Sequence, residues 1–276
     1  NFQIIVSKGI ILSFYVSQDR NDQYALIPAI EKFYELYNFY PKRLCADAGY
    51  GSLKNYQFII DKGIENYIKF ADWSRVISGE TYDLYHFNDD GNLVCLNNKI
   101  ALKTRLYENR RAHKSGFLYV IESCAYCRLK KFCQSKLKEV KNYRIFEANY
   151  DYFKLRKQVT ESLLSPKGIE MRVNRSSQVE GAFGVIKQDM DYERARRRGM
   201  ENVSLEFMLI CLGYNIRKLF LLIEGKAKLD YWKVPDDLKA ETIPPIDYEK
   251  IFKKRKKGKN ETLRNSYKHK KKAARN

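Results

Sequence analysis

The first forty residues change from an extended to a helical pattern of hydrophobic positions. Two β-rich runs, 3–7 and 10–17, are separated by Lys8-Gly9, and this combination predicts an antiparallel hairpin. After Asp22 the apolar residues recur at three- to four-residue intervals, which predicts an amphipathic helix that ends before Pro41. The apolar residues of this helix are Leu26, Ile27, Ile30, Phe33 and Leu36.

The next thirty residues return to short apolar runs. Residues 43–46 predict a strand ending at Asp47, and residues 65–70 predict another. Between them, Ser52 is placed to cap a helix over 53–62. The predicted order β-β-α-β-α-β indicates an α/β fold with a mixed sheet, and such folds bind ligands at the carboxyl ends of buried strands.

The remainder of the chain divides into three parts. From 71 to 145 the pattern breaks into short polar and aromatic pieces containing four of the six cysteines, and we interpret this part as an insert. It interrupts a domain that begins with residues 1–70 and continues, mainly helical, over 146–225. Residues 226–276 form a linker and a tail. The helices predicted after the insert cover 147–164, about 173–190 and about 204–224.

The most apolar stretch of the chain runs from Phe207 to Ile223. It contains Asn215, Arg217 and Lys218, and therefore predicts a buried core helix instead of a membrane span. No secretory signal is visible, and six cysteines without one indicate a reducing compartment. We therefore expect a cytoplasmic protein that is not associated with a membrane.

Positive charge dominates the composition. The chain has 52 Lys and Arg against 33 Asp and Glu, a formal net charge of +19. The segment 250–276 supplies +12 of this, with thirteen Lys or Arg and a single acid, Glu261. Such clustering indicates a polyanionic partner, because neutralising phosphates releases bound counterions. The alternative is a solvated tail without specific use.

Asp47 is the first candidate for chemistry. It lies where a predicted strand ends in a glycine-flanked turn, a position from which a carboxylate can reach a divalent cation. The alternative is a turn aspartate bonded to its own backbone.

Glu180 is the second candidate. Its segment has a helical pattern whose packing face comprises Val179, Phe183, Ile186 and Met190, so Glu180 and Lys187 are expected on one side, two turns apart. Gly181 and Gly184 weaken a helix by about 1 kcal/mol each, which indicates close approach of a strand or of DNA. The alternative is an ordinary surface glutamate.

Four arginines follow that segment, at positions 194, 196, 197 and 198 (Arg194, Arg196, Arg197, Arg198). The guanidinium group donates two parallel hydrogen bonds and suits phosphate. The alternative is a solvated run of charge.

Three cysteines lie close together in the insert, Cys124, Cys127 and Cys133. With Cys95 as the fourth ligand they predict a tetrahedral zinc site, for which His113 competes with Cys95. Free cysteines are the alternative. Cys45 and Cys211 lie in apolar surroundings and are predicted to belong to the core.

Taken in order, these stretches resemble the DDE transposases of bacterial insertion sequences, in the branch with a cysteine-bearing insert. The likeness rests on four stretches: Asn1-x-Gln3 with Asp22 and Leu26-Ile27-Pro28; Ala46-Asp47-Ala48-Gly49-Tyr50-Gly51-Ser52; the Cys-x-x-Cys-x5-Cys segment; and Arg175 through Val179-Glu180-Gly181 and Lys187 to Arg198-Gly199.

The resemblance implies a ribonuclease-H-like core in which two Asp and one Glu hold two Mg²⁺ ions. Asp47 matches the second acid and Glu180 the third, while Lys187 and Arg175 match phosphate-holding positions. The implied reaction is cleavage at the ends of a DNA element followed by attack of the freed 3′-hydroxyl on target DNA. It also implies double-stranded DNA partners, a homo-oligomer on DNA and association with the bacterial nucleoid.

The family's first acid has no match in this chain. It is expected on a strand upstream of Asn1, so we expect a truncated and inactive fragment. Asp19 and Asp22 are disfavoured as substitutes because the topology places them at the start of a helix. Two other functions stay open: a metal-dependent nuclease that only hydrolyses, and a non-catalytic, zinc-bearing nucleic-acid binder.

Overall fold

The computed structural model describes residues 1–78, 83–109, 114–135, 137–227 and 231–244. The chain forms two compact units, one made of 1–71 with 151–241 and the other built around 72–150. His113 and the basic tail 250–276 lie outside the described residues.

The first unit opens with the predicted hairpin. Strand β1 (Phe2–Ser7) pairs antiparallel with β2 (Ile10–Val16). Lys8 and Gly9 both have positive φ, 50° and 76°, which is the turn conformation that Gly9 accommodates without strain. The hairpin prediction is confirmed.

Two helices and a parallel strand pair follow. Helix α1 (Leu26–Tyr37) ends at Asn38, which adopts the left-handed conformation ahead of Pro41. Strand β3 (Arg43–Leu44) pairs in parallel with β4 (Glu65–Asn66), and α2 (Leu53–Asp61) connects them. The Ser52 side chain accepts a hydrogen bond from the Asn55 amide at 3.3 Å, which confirms the predicted cap.

Both of these strands are shorter than predicted. The reason is visible at β4, where the Asn66 side chain accepts a hydrogen bond from the Ile68 amide at 2.9 Å and turns the chain. The described strands form four small sheets instead of one mixed sheet, although the α/β class itself is confirmed.

The second unit is mainly antiparallel. A hairpin and a three-stranded sheet of order β7-β8-β9 make up its strands. Its elements are α3 (Trp73–Ile77), β5 (Tyr85–Phe87), β6 (Leu93–Cys95), β7 (Leu102–Asn109), β8 (Lys114–Ile121), α4 (Lys130–Cys133) and β9 (Arg144–Ala148).

The helical part alternates between α and π geometry. Helix α5 (Tyr150–Leu164) is followed by α6 (Pro166–Arg175), whose N-terminus is capped by Ser165. A π-helical turn over Ser176–Glu180 leads into α7 (Gly181–Gly184), and a second π-helical turn covers Val185–Asp189. π-Helical turns are rare and occur frequently at functional sites.

The last helix, α8 (Met200–Ile223), packs on the hairpin along one face. Its Phe207 ring stacks on Phe2 with the centroids 4.2 Å apart. The side chain of Asn215 donates to the Ile11 carbonyl at 2.7 Å and accepts from the Ile11 amide at 2.9 Å. These contacts anchor the helix to both strands of the hairpin.

The prediction of a buried core helix over this stretch is wrong for the opposite face of α8. Only Phe207, Cys211 and Tyr214 of this helix are fully buried, and several large apolar side chains are more than half exposed. One-sided packing on a two-stranded hairpin explains the difference, because the hairpin covers a single stripe of the helix. Within the described part of the chain, no helix is long and apolar enough to cross a membrane.

Candidate active site

A large cleft in the first unit brings together three of the predicted site residues, Asp47, Arg175 and Glu180. It has a volume of about 1040 Å³, and Asp47, Glu180, Arg175 and Asp22 all line it. Folding therefore brings the two predicted catalytic acids to one cleft, although they are far apart in sequence. Gln178, Val179 and Phe183 line it on the side of Glu180.

Asp47 lies three residues beyond the end of β3, because the strand is shorter than predicted. It caps a short 3-10 turn over Ala48–Tyr50, and its Oδ1 accepts a hydrogen bond from the Ala48 amide at 2.9 Å. The residue is exposed. The backbone bond fixes the carboxylate at the rim of the cleft and leaves lone pairs for a further ligand.

Glu180 ends the first π-helical turn and is ion-paired with Arg175. Arg175 Nη2 lies 3.1 Å from Glu180 Oε1; the Glu180 side chain is 64% exposed and that of Arg175 only 15%. In an α-helix the neighbours on one face are three or four residues apart, whereas the π-turn places residues five apart in register. The Arg175 Nε is buried and makes no hydrogen bond within the described residues.

A hydrogen-bonded network connects the hairpin to the loop after Asp47. The Asn1 and Gln3 amides donate to Asp22 Oδ1 at 2.7 and 3.3 Å, and the Tyr50 hydroxyl donates to Gln3 Oε1. Burial raises the pKa of Tyr50, and the carboxylates of Asp22 and Asp47 raise it further. Sequence reasoning missed this network because its members come from separate elements and share no local periodicity.

The described carboxylates of the cleft have the chemistry that a divalent metal ion requires, but not the spacing. Carboxylate oxygens are the donors that Mg²⁺ prefers, so the residue types fit. Among the described residues, however, no three His, Cys, Asp or Glu side chains are grouped closely enough to hold a metal ion. The donors of Asp47 and Glu180 thus share a cleft without forming an assembled site.

The helix backbone beside Glu180 is open. A methyl group added at Gly181 or Gly184 would meet no atom within 4 Å. The described residues therefore contain no strand that packs against these glycines, and the expectation of close approach by a strand is wrong. The open space at both glycines leaves room for the other partner in that expectation, DNA.

Lys187 lies in the second π-helical turn. It is exposed, its Nζ is 5.8 Å from the centre of the Phe183 ring, and it is not among the residues that line the cleft.

The four predicted phosphate-binding arginines lie in the loop before α8 and are exposed. Glu206 holds this loop, since its carboxylate accepts from the backbone amides of Arg196 and Arg197, each at 3.1 Å. The Arg196 guanidinium donates to the Asp191 carbonyl at 3.0 Å. In the part of the chain that is described, the guanidinium groups of Arg194, Arg197 and Arg198 have no protein partner.

The four cysteines of the insert line one small cavity in the second unit. Its volume is about 20 Å³, and Cys95, Cys124, Cys127 and Cys133 all border it. All four are free thiols. The finding that no described group of three side chains is arranged for a metal ion applies to them as well.

Tight turns present two of these thiols. The Cys127 amide donates to the Cys124 carbonyl at 3.3 Å, and the Asn98 amide donates to the Cys95 carbonyl at 2.9 Å. Burial raises the pKa of Cys124 and of Cys133, and in both cases the neighbouring thiols of the cavity raise it further.

The remaining two cysteines lie in the first unit and differ in exposure. Burial raises the pKa of Cys211 to about 12 and that of Cys45 to about 11. Cys211 is buried in the core under α8, as predicted. Cys45 is only half-buried and lines the cleft beside Asp47, so its prediction as a core residue is wrong in part.

Comparison with known proteins identifies one family. Residues 94–220 match the family model described as a transposase DDE domain. The matched segment includes the thiol cavity, Glu180 and most of α8, and it does not reach Asp47. No curated protein and no solved structure matches the chain. Over residues 94–220, the chain is therefore similar to the transposase DDE domain family.

Proposed function

We propose that this chain is the catalytic part of a DDE transposase, which cleaves phosphodiester bonds at the ends of a DNA element and joins the freed 3′-hydroxyl to target DNA. The observation that carries the proposal is the shared cleft of Asp47 and Glu180, with Arg175 between the acid and the protein interior. The family match supplies independent support over residues 94–220.

A ribonuclease-H-like core is the fold that suits this arrangement. The antiparallel hairpin, the parallel pair β3-β4 and the helix between them follow the expected order. Asp47 lies three residues beyond β3, and Glu180 lies on the helical segment after the insert. This placement supports the assignment of the second and third catalytic acids.

The roles of the acidic side chains follow from their chemistry. Asp47 and Glu180 would hold two Mg²⁺ ions, which when bound activate the attacking oxygen and stabilise the leaving oxygen of an in-line displacement. Asp22 lines the same cleft, but its Oδ1 already accepts from Asn1 and Gln3. We therefore assign Asp22 to positioning the loop that carries Asp47.

The roles of the basic residues follow from where they lie. Arg175 lines the cleft, and Lys187 is exposed beyond the glycines, so both suit phosphates near the cut. The exposed arginines at 194, 196, 197 and 198 suit the flanking duplex. Open space at Gly181 and Gly184 lets the DNA backbone approach Glu180.

A structural zinc site in the second unit is part of the proposal. Thiolates at Cys95, Cys124, Cys127 and Cys133 are the donors that Zn²⁺ prefers, and two of them begin tight turns. Their sulfur atoms surround a common cavity but are not at ligand spacing, so binding requires them to move inward. Zinc would tie β6 to the segment that follows β8.

The catalytic proposal is tested with the longest reading frame that contains this sequence. Wild type, Asp47→Asn and Glu180→Gln are compared for Mg²⁺-dependent cleavage of element-end DNA and for joining of the 3′ end to a second duplex. Loss of both activities in both variants is expected, with DNA binding retained. Binding of Mn²⁺, followed by electron paramagnetic resonance, should weaken in the same variants.

Each other outcome selects a different function. Cleavage that never leads to joining would indicate a hydrolytic nuclease. Mg²⁺-independent DNA binding without cleavage, indifferent to Glu180→Gln, would leave only a nucleic-acid-binding protein.

A further inference from the structure

One face of α8 carries an unpartnered strip of large aliphatic side chains. We call it the apolar strip, and each of its members is between 52% and 76% exposed. Its members are Leu205, Leu209, Leu212, Ile216, Leu219 and Ile223. Met208 and Phe220 flank it and are 43% and 58% exposed.

The strip lies away from the contacts that hold α8 in place. Phe207, Cys211 and Tyr214 point into the core, and Tyr214 donates to the Gly9 carbonyl at 3.0 Å. Asn215 is engaged with Ile11 on the same side. The helix is therefore fixed on one side, and the strip is held rigidly on the other.

The spacing within the strip is that of a coiled-coil seam. Its members alternate at intervals of four and three residues, so they repeat every seven over the length of the helix. Leucine occupies one of the two heptad positions throughout, at 205, 212 and 219. The other position holds Leu209, Ile216 and Ile223. The isoleucines therefore occupy heptad position a and the leucines at 205, 212 and 219 occupy position d. Isoleucine at a with leucine at d favours pairing of two like helices.

The size of the strip matches what a dimer needs. Eight exposed side chains offering about 100 Å² each amount to about 800 Å² per copy, and stable interfaces bury about 1,600 Å² over both partners. The strip itself contains no charged residue, so two copies can meet along it without repulsion between like charges. Nearby Arg217 is paired with Asp189 at 2.9 Å.

We propose that the apolar strip of α8 binds the same strip of a second copy of this chain, and that the protein self-associates through this helix. The seam repeats along its own length and is therefore self-complementary, which is the requirement of a two-fold symmetric contact. The inference does not depend on catalysis, since it uses no residue of the cleft.

The test measures molar mass by light scattering after size-exclusion chromatography, in salt high enough to screen association through surface charge. The wild type is expected at twice the chain mass of 32.7 kDa. The double variant Leu212→Glu with Ile216→Glu is expected at the monomer mass, with an unchanged circular dichroism spectrum. Leu36→Glu is the matched control, because Leu36 is 59% exposed on α1, and it should remain dimeric.

Cross-linking gives a second measurement that requires no disruptive charge. Ile216→Cys treated with a short bismaleimide should yield a covalent dimer well above the wild-type background, whereas Leu36→Cys should not. A monomeric wild type, a double variant that stays dimeric, or equal cross-linking at both positions would each overturn the proposal. The last outcome would also be expected if another segment of the chain or a different protein covered the strip.

Discussion

Arg175 and Glu180 form an ion pair across a π-helical turn, with Nη2 and Oε1 3.1 Å apart. The predicted phosphate clamp is thus bound to the predicted catalytic acid. A divalent cation that used Glu180 would compete with the guanidinium for the same carboxylate. Metal binding at Glu180 would therefore free Arg175 to contact a phosphate.

Replacing Arg175 separates these two effects. Arg175→Ala should tighten Mn²⁺ binding by about twofold to fivefold, the range expected for an ion pair with one exposed partner, and weaken binding of element-end DNA. Titration by electron paramagnetic resonance and fluorescence anisotropy would measure the two affinities. Arg217→Ala, which breaks the exposed pair with Asp189, is the control and should leave Mn²⁺ affinity unchanged. Weaker Mn²⁺ binding in Arg175→Ala would contradict the competition.

Gly181 and Gly184 provide a test in which stability and function change in opposite directions. An added methyl group meets nothing at either position, so alanine should stabilise the helix by up to about 1 kcal/mol per site. The same methyl groups should impede DNA and lower cleavage. Urea denaturation and the cleavage assay measure the two effects.

The control for the glycines is Gly168→Ala. A methyl group there would collide with the backbone of Ser162 and Leu163, so this variant should lose stability. Undiminished cleavage in Gly181→Ala and Gly184→Ala would remove the argument that DNA approaches the helix at these positions.

The four cysteines around the small cavity of the second unit predict that the purified protein contains zinc. Purified wild type should contain about one equivalent of zinc, and Cys124→Ser and Cys127→Ser should contain little and unfold at lower temperature. Cys45→Ser lies outside the cavity and should keep its zinc. Mass spectrometry of the metal in the three variants measures this, and less than about half an equivalent in the wild type would contradict the site.

The ion pair between Arg43 on β3 and Glu65 on β4 predicts that the stability of the fold depends on pH. The hydrogen bond from Arg43 Nε to Glu65 Oε2, at 2.9 Å, lowers the pKa of Glu65. A lowered pKa stabilises the fold above the unfolded-state value of about 4.3, and this stabilisation is lost as the pH falls through the folded-state pKa.

Glu65→Gln should therefore lower the melting temperature at neutral pH but not near pH 3. The effect should stay below about 1 kcal/mol, because both side chains are about two-fifths exposed. Glu35→Gln is the control, since Glu35 is exposed and has no hydrogen bond or ion pair within the described residues. A deficit that persisted in acid would indicate a packing effect instead of an electrostatic one.

Local elements were predictable because their causes are local. The turn at Lys8-Gly9, the cap at Ser52 and the termination of α1 before Pro41 each depend on a few adjacent residues. Strand ends were less predictable, since the side chain of Asn66 ends β4 by bonding a backbone amide two residues on.

The site required tertiary information. Sequence alone placed Asp47 at a strand end and Glu180 on a helix, and folding placed both on one cleft. The Arg175–Glu180 pair depends on a π-turn, which a search for three- and four-residue spacing does not detect. The exposure of one face of α8 was not predicted for a related reason, because mean hydropathy does not show which side of a helix is covered by other elements.

The two hydrogen bonds between Asn215 and Ile11 protect an edge of the hairpin from aggregation. A two-stranded sheet leaves both outer edges open, and an open edge is a template on which strands of other molecules can add. At Ile11 the carboxamide of Asn215 occupies the amide and the carbonyl together, as a neighbouring strand would. A side chain from a helix thus blocks that position of β2 against cross-β growth.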